Sequence, residues 1–436
     1  MNARLALRGD LLDFAAAPAW GDTESAAVRY RPDHWLLVEG GRIAGVQREA
    51  PDASWQRVEH RGRLVLPGFV DAHVHAPQID MIASYGAQLL DWLERYTFPA
   101  EARFADPAWA AAGAARFLDA LLAHGTTAAV VFPTVHKVSA ETLFAAAEAR
   151  GMRVICGKVL MDRHAPEALR DDVAGAERDC LDLIARWHGR GRLAYAVTVR
   201  FAPTSSPAQL AMAGALCAAD PTLYMQTHVA ENRDEVRWVR ELYPEARSYL
   251  DVYARAGLLH RRSVLAHGIW LDADDHAALA ASGAVIAHSP SSNLFLGSGL
   301  FDWRALDAAG AAVAMASDVG GGTSLAMPRT LADAYKMQAL RGERLSAWVA
   351  LHAATRGAAH ALGLAGEIGS FDTGCCADLC VWDWARGAVA ERRHELAVGL
   401  HERVFAWLTL ADERNLVSAR VAGIERWRRV DGPAAA

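Results

Sequence analysis

From Gly68 onwards the chain alternates short continuous apolar runs with longer stretches whose apolar residues recur at helical spacing. This is the pattern of strand–helix units closing around a parallel sheet. The strand-like runs are Gly68–Ala72, Thr126–Phe132, Arg153–Val159, Leu193–Val199, Leu223–His228, Ser263–Ala266, Ala284–Ala287 and Val313–Ala316. Their number, about eight, is that of a (β/α)8 TIM-type barrel. Between them, Ala108–Ala123 and Glu231–Leu242 carry helical periodicity. The stretch Ile79–Phe104 is long for a strand–helix connection and rich in aromatics (Tyr85, Trp92, Tyr96, Phe98), so it is expected to cover a site.

The two ends read differently. Trp35–Arg48 is two short apolar runs joined by Glu39-Gly40-Gly41, a hairpin signal. Ala377–Trp382 follows a turn at Asp372-Thr373-Gly374, and Val417–Trp427 has the same strand-like character. Both ends together are expected to form one small β domain beside the barrel, an α/β architecture overall.

Composition adds limits rather than new features. The chain has 436 residues, 52% hydrophobic and 22% charged, ordinary for a globular protein large enough for a sizeable core. The net charge of −6 provides no basic field for nucleic acid, so a nucleobase substrate would be a free base. The six cysteines lack the paired spacing of a disulfide scaffold and read as reduced thiols; Cys375, Cys376 and Cys380 are expected to be structural. Arg4, Arg8 and Asp10 interrupt the N-terminal apolar stretch, and Arg116, Asp119 and His124 interrupt Ala108–Val131, which argues for a cytoplasmic protein without a membrane segment. Gly320-Gly321-Gly322 lacks the residues of a phosphate loop and is expected to let the backbone pass close to a pocket.

The chemistry begins at His73-Val74-His75, where strand alternation sends residues i and i+2 to the same side. His228, His267 and Asp318 each close a later strand-like run, at the end of the barrel where such enzymes keep their active sites. Imidazoles with a carboxylate suit zinc, with iron as the competitor, and leave a position open for water.

Pro67-Gly68-Phe69-Val70-Asp71-Ala72-His73-Val74-His75 resembles the opening motif of the amidohydrolase superfamily. The resemblance implies a barrel at 67–365 and a small β-sandwich built from 1–66 and 366–436. Narrower blocks resemble the guanine deaminase family: His75-Ala76-Pro77-Gln78, Leu93 to Glu101, Arg200 to Ser205, His228 to Asn232, and Ser289 to Leu294. Two positions depart from the usual pattern, Val199 for proline and Ser317 for threonine. The resemblance implies that His73, His75, His228 and Asp318 are metal ligands, with His267 beside the activated water as a weak ligand or hydrogen-bond donor. The lysines Lys137, Lys158 and Lys336 all lie outside the fourth run, Leu193–Val199, so one zinc ion per chain is expected. Asp318 would take the water's proton and Glu231 would carry protons to the ring and the departing amine. Gln78, Arg200, Phe201, Trp92 and His267 are the expected substrate contacts, the substrate a small purine base, and the assembly a homodimer. The alternatives are another aminated heterocycle, such as 8-oxoguanine, a pterin, an adenosine-type compound or a chlorinated triazine, and a catalytically silent barrel used for binding.

Overall fold

The apolar runs fold as strands buried on both faces, as parallel strands between a filled interior and an outer helical layer must be. The computed structural model describes residues 4–85 and 88–430. The chain opens with β1 (Arg4–Phe14), β2 (Val28–Glu39), β3 (Arg42–Gln47) and β4 (Gln56–Pro67). It then enters the barrel: β5 (Phe69–His75), β6 (Thr126–Phe132), β7 (Arg153–Cys156), β8 (Val159–Leu160), β9 (Leu193–Val199), β10 (Tyr224–Val229), β11 (Ser263–His267), β12 (Val285–His288) and β13 (Ala312–Met315). It returns to the first sheet with β14 (Leu379–Trp382), β15 (Leu416–Val421) and β16 (Ile424–Arg428).

The barrel strands hydrogen-bond in the order β5-β6-β7-β9-β10-β11-β12-β13. The seam closes just beyond β13, where Asp318 N donates to His73 O at 2.9 Å and His75 N to Val319 O at 3.0 Å. The expected strand Arg153–Val159 is broken in two, with β8 paired to the end of β9. The break falls at Gly157, where a Cβ would lie 1.9 Å from the carbonyl oxygen of Ala196.

The small β domain expected of the chain ends is a seven-stranded sheet ordered β16-β15-β14-β4-β1-β2-β3. Gly40 and Gly41 both have positive φ, 59° and 79°, which suits the tight β2–β3 hairpin. Val417–Trp427 folds as a second hairpin, β15 and β16, turning at Ala422-Gly423. Asp13 on β1 ties the two ends together: its buried carboxylate accepts from Arg29, from Arg31 Nη2 at 2.8 Å and from the backbone N of Phe371 at 2.8 Å. Asp13→Ala leaves these donors without their acceptor and is expected to cost about 3 kcal/mol of stability. Urea denaturation monitored by tryptophan fluorescence checks this; an unchanged midpoint would remove Asp13 from the account.

The stretch Ile79–Phe104 is a run of short helical turns within Ala76–Met81, Leu89–Trp92, Leu93–Thr97, Phe98–Ala102 and Arg103–Ala105. Trp92, Leu93 and Phe98 pack with Phe132, Phe201 and Leu296, so the segment covers the barrel mouth as expected, while Tyr85 stays exposed. The helix expected from Glu231 starts instead at Arg233. Asn232 caps it, and the Glu235 side chain reaches back in a reciprocal capping box. Among the described residues no helix is long and apolar enough to cross a membrane, and the six cysteines are free thiols.

Candidate metal centre and substrate pocket

Alternation on β5 brings both of its histidines to the inner side, where His73 Nε2 and His75 Nε2 lie 3.1 Å apart. His228, from the end of β10, places its Nε2 3.2 Å from that of His75. Asp318 Oδ1 lies 3.1 Å from His73 Nε2 and 3.3 Å from His75 Nε2. All four donor atoms fall within 4.8 Å of one another, and all four residues are buried. Zinc–nitrogen bonds of about 2.0–2.1 Å in a tetrahedron put neighbouring donors about 3.3 Å apart. The cluster is therefore suited to a metal ion.

The protonation states agree with that fit. Burial pushes the His75 imidazole down to about 3 and also lowers His73 and His228, leaving neutral rings with a lone pair to offer. Burial opposes ionisation of Asp318, but its electrostatic interaction with His73 and the hydrogen bonds of His73 and His75 outweigh it and hold the carboxyl well below the usual range. His228 is oriented by Nδ1 donating to Arg200 O at 2.6 Å. Asp71 accepts from the backbone N of Ser317 at 3.0 Å and from its hydroxyl, so the serine that replaces the usual threonine still ties β5 to the start of the Asp318 turn.

His267 and Asp318 both have left-handed backbones, φ 74° and 47°, as does Ala230 at 48°. Such conformations are uncommon for residues with a Cβ and concentrate at functional sites. His267 Nδ1 donates to Asn293 Oδ1 at 2.9 Å, so in the neutral ring Nε2 presents its lone pair to the pocket. That nitrogen lies 3.4 Å from Glu231 Oε2 and 3.7 Å from Asp318 Oδ2. Glu231 Oε1 accepts from Ser298 Oγ at 3.1 Å, and its backbone N donates to Glu235 Oε2 at 2.9 Å. Burial, reinforced by the nearby charge of Asp318, pushes the Glu231 carboxyl up to about 8.

These groups open into a cleft that is also lined by Gln78, Trp92, Arg200, Phe201 and Gly321. Of the site residues expected from the sequence, all but His73 line this cleft, and His73 joins them through the donor cluster. The Trp92 indole N–H is turned away, donating to Ser84 O at 3.2 Å, so Trp92 offers the pocket its ring. The Gly320–Gly322 turn passes close as expected: a Cβ on Gly320 would lie 2.9 Å from Gln78 Cβ, and one on Gly322 only 1.8 Å from Ser317 O.

Sequence reasoning assigned no role to four neighbours of this site: Asp71, Asn293, Ser298 and Glu101. The last is the most consequential. Glu101 Oε1 accepts from Arg200 Nη1 at 2.5 Å and from Gln78 Nε2 at 3.1 Å, with Arg200 and Glu101 both buried. The sequence does not single it out, because Asp80, Asp91, Glu94, Arg95 and Arg103 share the covering segment and only burial distinguishes Glu101 from them.

A parallel barrel whose strand ends gather three imidazoles, an ionised carboxylate and a second, proton-bearing acid has the layout of a metal-assisted hydrolase. Residues 64–419 match the amidohydrolase family, and the chain belongs to that family, as a hydrolase acting on carbon–nitrogen bonds. The guanine deaminase of Escherichia coli (strain K12) is 41% identical over 424 residues, 96% of this chain and 96% of its own. The solved E. coli guanine deaminase superposes with a TM-score of 0.93 at 39% identity, covering 98% of this chain and 100% of that one. The guanine deaminase of C. acetobutylicum, solved with guanine bound in its active site, gives a TM-score of 0.87 at 27% identity over 97% of this chain and 99% of that one.

Proposed function

We propose that this chain hydrolyses free guanine to xanthine and ammonia, using one zinc ion per chain. The observation that carries the reading is a single pocket in which Arg200, Gln78 and Phe201 face the His73–His75–His228–Asp318 cluster and Glu231. The likeness to the guanine deaminases of E. coli and C. acetobutylicum supports the substrate. A single ion follows from β9, which carries no lysine to bridge a second. The enzyme is read as a cytoplasmic homodimer, in keeping with its free thiols.

When bound by the cluster, zinc lowers the pKa of water toward neutrality and so supplies the nucleophile. Asp318, already ionised, accepts the water's proton while the oxygen attacks the guanine carbon that bears the amine. Glu231 enters protonated because its carboxyl is raised to about 8. It would give its proton to the adjacent ring nitrogen, the proton held by Asp318 would complete the departing amine, and the proton left on the new hydroxyl would return to Glu231, so that ammonia leaves and the carbon keeps the oxygen as a carbonyl. Arg200 donates to the carbonyl side of the base. Gln78, with one hydrogen bond already made at each end, to Glu101 and from Gly320 N at 3.3 Å, retains one N–H and one lone pair for a mixed edge. Phe201 supplies a stacking face.

Zinc-loaded protein assayed for ammonia release with guanine, 8-oxoguanine, adenine, cytosine and pterins tests the reading. Guanine is expected to lead; silence with guanine and release from another base would overturn it. Glu231→Gln keeps the size of the side chain but cannot carry the proton, so bound metal is expected to stay while turnover falls by about 10²–10⁴-fold. A loss of less than severalfold would take Glu231 out of the mechanism.

A further inference from the structure

The oxopurine reading leaves one charged group unaccounted for. The Arg200 guanidinium lies at the pocket with its side chain only 4% exposed, and among the described residues Glu101 is its hydrogen-bond partner. The Glu101 side chain is fully buried, and its Oε2 has no partner. Gln78 Nε2 donates to the same Oε1 that receives Arg200. One carboxylate therefore fixes both polar side chains expected to read the base. It also cancels a cationic charge in a place where water cannot screen it. An arginine paired with a pocket carboxylate can still give hydrogen bonds to a neutral carbonyl, but it has lost the net charge with which it would recruit an anion.

We propose that Glu101 is a positioning and specificity-determining residue. It holds Arg200 and Gln78 in register and keeps the reading end of the pocket electrically neutral, so that neutral oxopurines bind and purine anions are rejected. The dioxopurine product ionises more readily than the amino-oxopurine substrate, because its second carbonyl stabilises the ring anion. A neutralised Arg200 therefore favours substrate over ionised product and limits product inhibition. A purely structural salt bridge would anchor Phe98–Ala102 to β9 without sorting ligands by charge.

The inference rests on the oxopurine reading, and binding measurements separate the two. Metal-loaded wild-type and Glu101→Gln proteins are titrated calorimetrically with hypoxanthine, a neutral 6-oxopurine, and with xanthine below and above the ionisation of its ring N–H. Neither measurement requires turnover, so failure of guanine to release ammonia would sink the reading on its own. In the wild type, xanthine is expected to bind more weakly once ionised, while hypoxanthine keeps its affinity across the same range. In Glu101→Gln, the affinity for the xanthine anion relative to hypoxanthine is expected to rise at least about tenfold, with KM for guanine raised more than kcat is lowered. Equal weakening of all ligands in Glu101→Gln would reduce the residue to a structural anchor and overturn the proposal. The titrations are repeated in Glu231→Gln, so that ionisation of Glu231 near 8 does not coincide with that of xanthine; if Glu101→Gln does not fold, this arm decides, and an ionised xanthine bound as tightly as the neutral form overturns the proposal.

Discussion

His73→Ala and Asp318→Ala are expected to lose the metal ion and catalysis together. His73 Nε2 and Asp318 Oδ1 are 3.1 Å apart, and each supplies one of the four donors in the cluster, so neither has a substitute in the site. Changes merely outside a ligand shell cost about 10–100-fold in metal affinity or activity, and removal of a ligand is expected to exceed that range. Elemental analysis of each purified variant, paired with ammonia release, reads both effects. Full metal content with normal turnover in either variant would overturn the ligand assignment.

Guanine is expected to be deaminated far faster than 2-aminopurine, which carries the same reacting amine but no 6-oxo group. The N–H groups of Arg200 left over from Glu101 face a pocket walled by Phe201, Trp92 and Leu93. A base without the carbonyl leaves them unpaired. Sites built to satisfy a buried polar group reject the analogue lacking it by roughly 10⁴–10⁵ in favourable cases. Arg200→Ala should lower guanine turnover and narrow the gap, since the unpaired donor is then absent from both complexes. Comparable rates for the two bases in the wild type would mean that the carbonyl is not read. The metal-hydrolase chemistry would survive that outcome and the guanine assignment would not.

Much of this arrangement is legible in the sequence because it depends on local periodicity. His73 and His75 share a side of β5 through alternation alone, and strands such as β6 and β9 are buried along their whole length, which is what a continuous apolar run signals. The parts that were not legible depend on neighbours distant in the chain. The strand expected over Arg153–Val159 breaks at Gly157 because of a carbonyl on β9. The helix start, by contrast, is local: it falls two residues after Glu231 because Glu235 folds back onto the backbone N–H groups of Glu231 and Asn232, a capping-box spacing that the sequence does carry. Glu101 meets Arg200 across 99 positions of chain, and Asn293 sets the tautomer of His267 across a strand boundary. Composition and spacing carry no trace of such pairings.

The hydrogen bonds that close the barrel run through the metal centre itself, from Asp318 N to His73 O and from His75 N to Val319 O. The donor set therefore straddles the joint between the first barrel strand and the last. A nascent chain emerging from the ribosome has both β5 histidines long before it has the aspartate, and β4, beside which β14 must lie, waits for a partner made later still. Domains fold as units during synthesis, and here the unit is complete only when almost the entire polypeptide has been made. An ion held by this donor set would span the joint, linking the first barrel strand to the turn that follows the last.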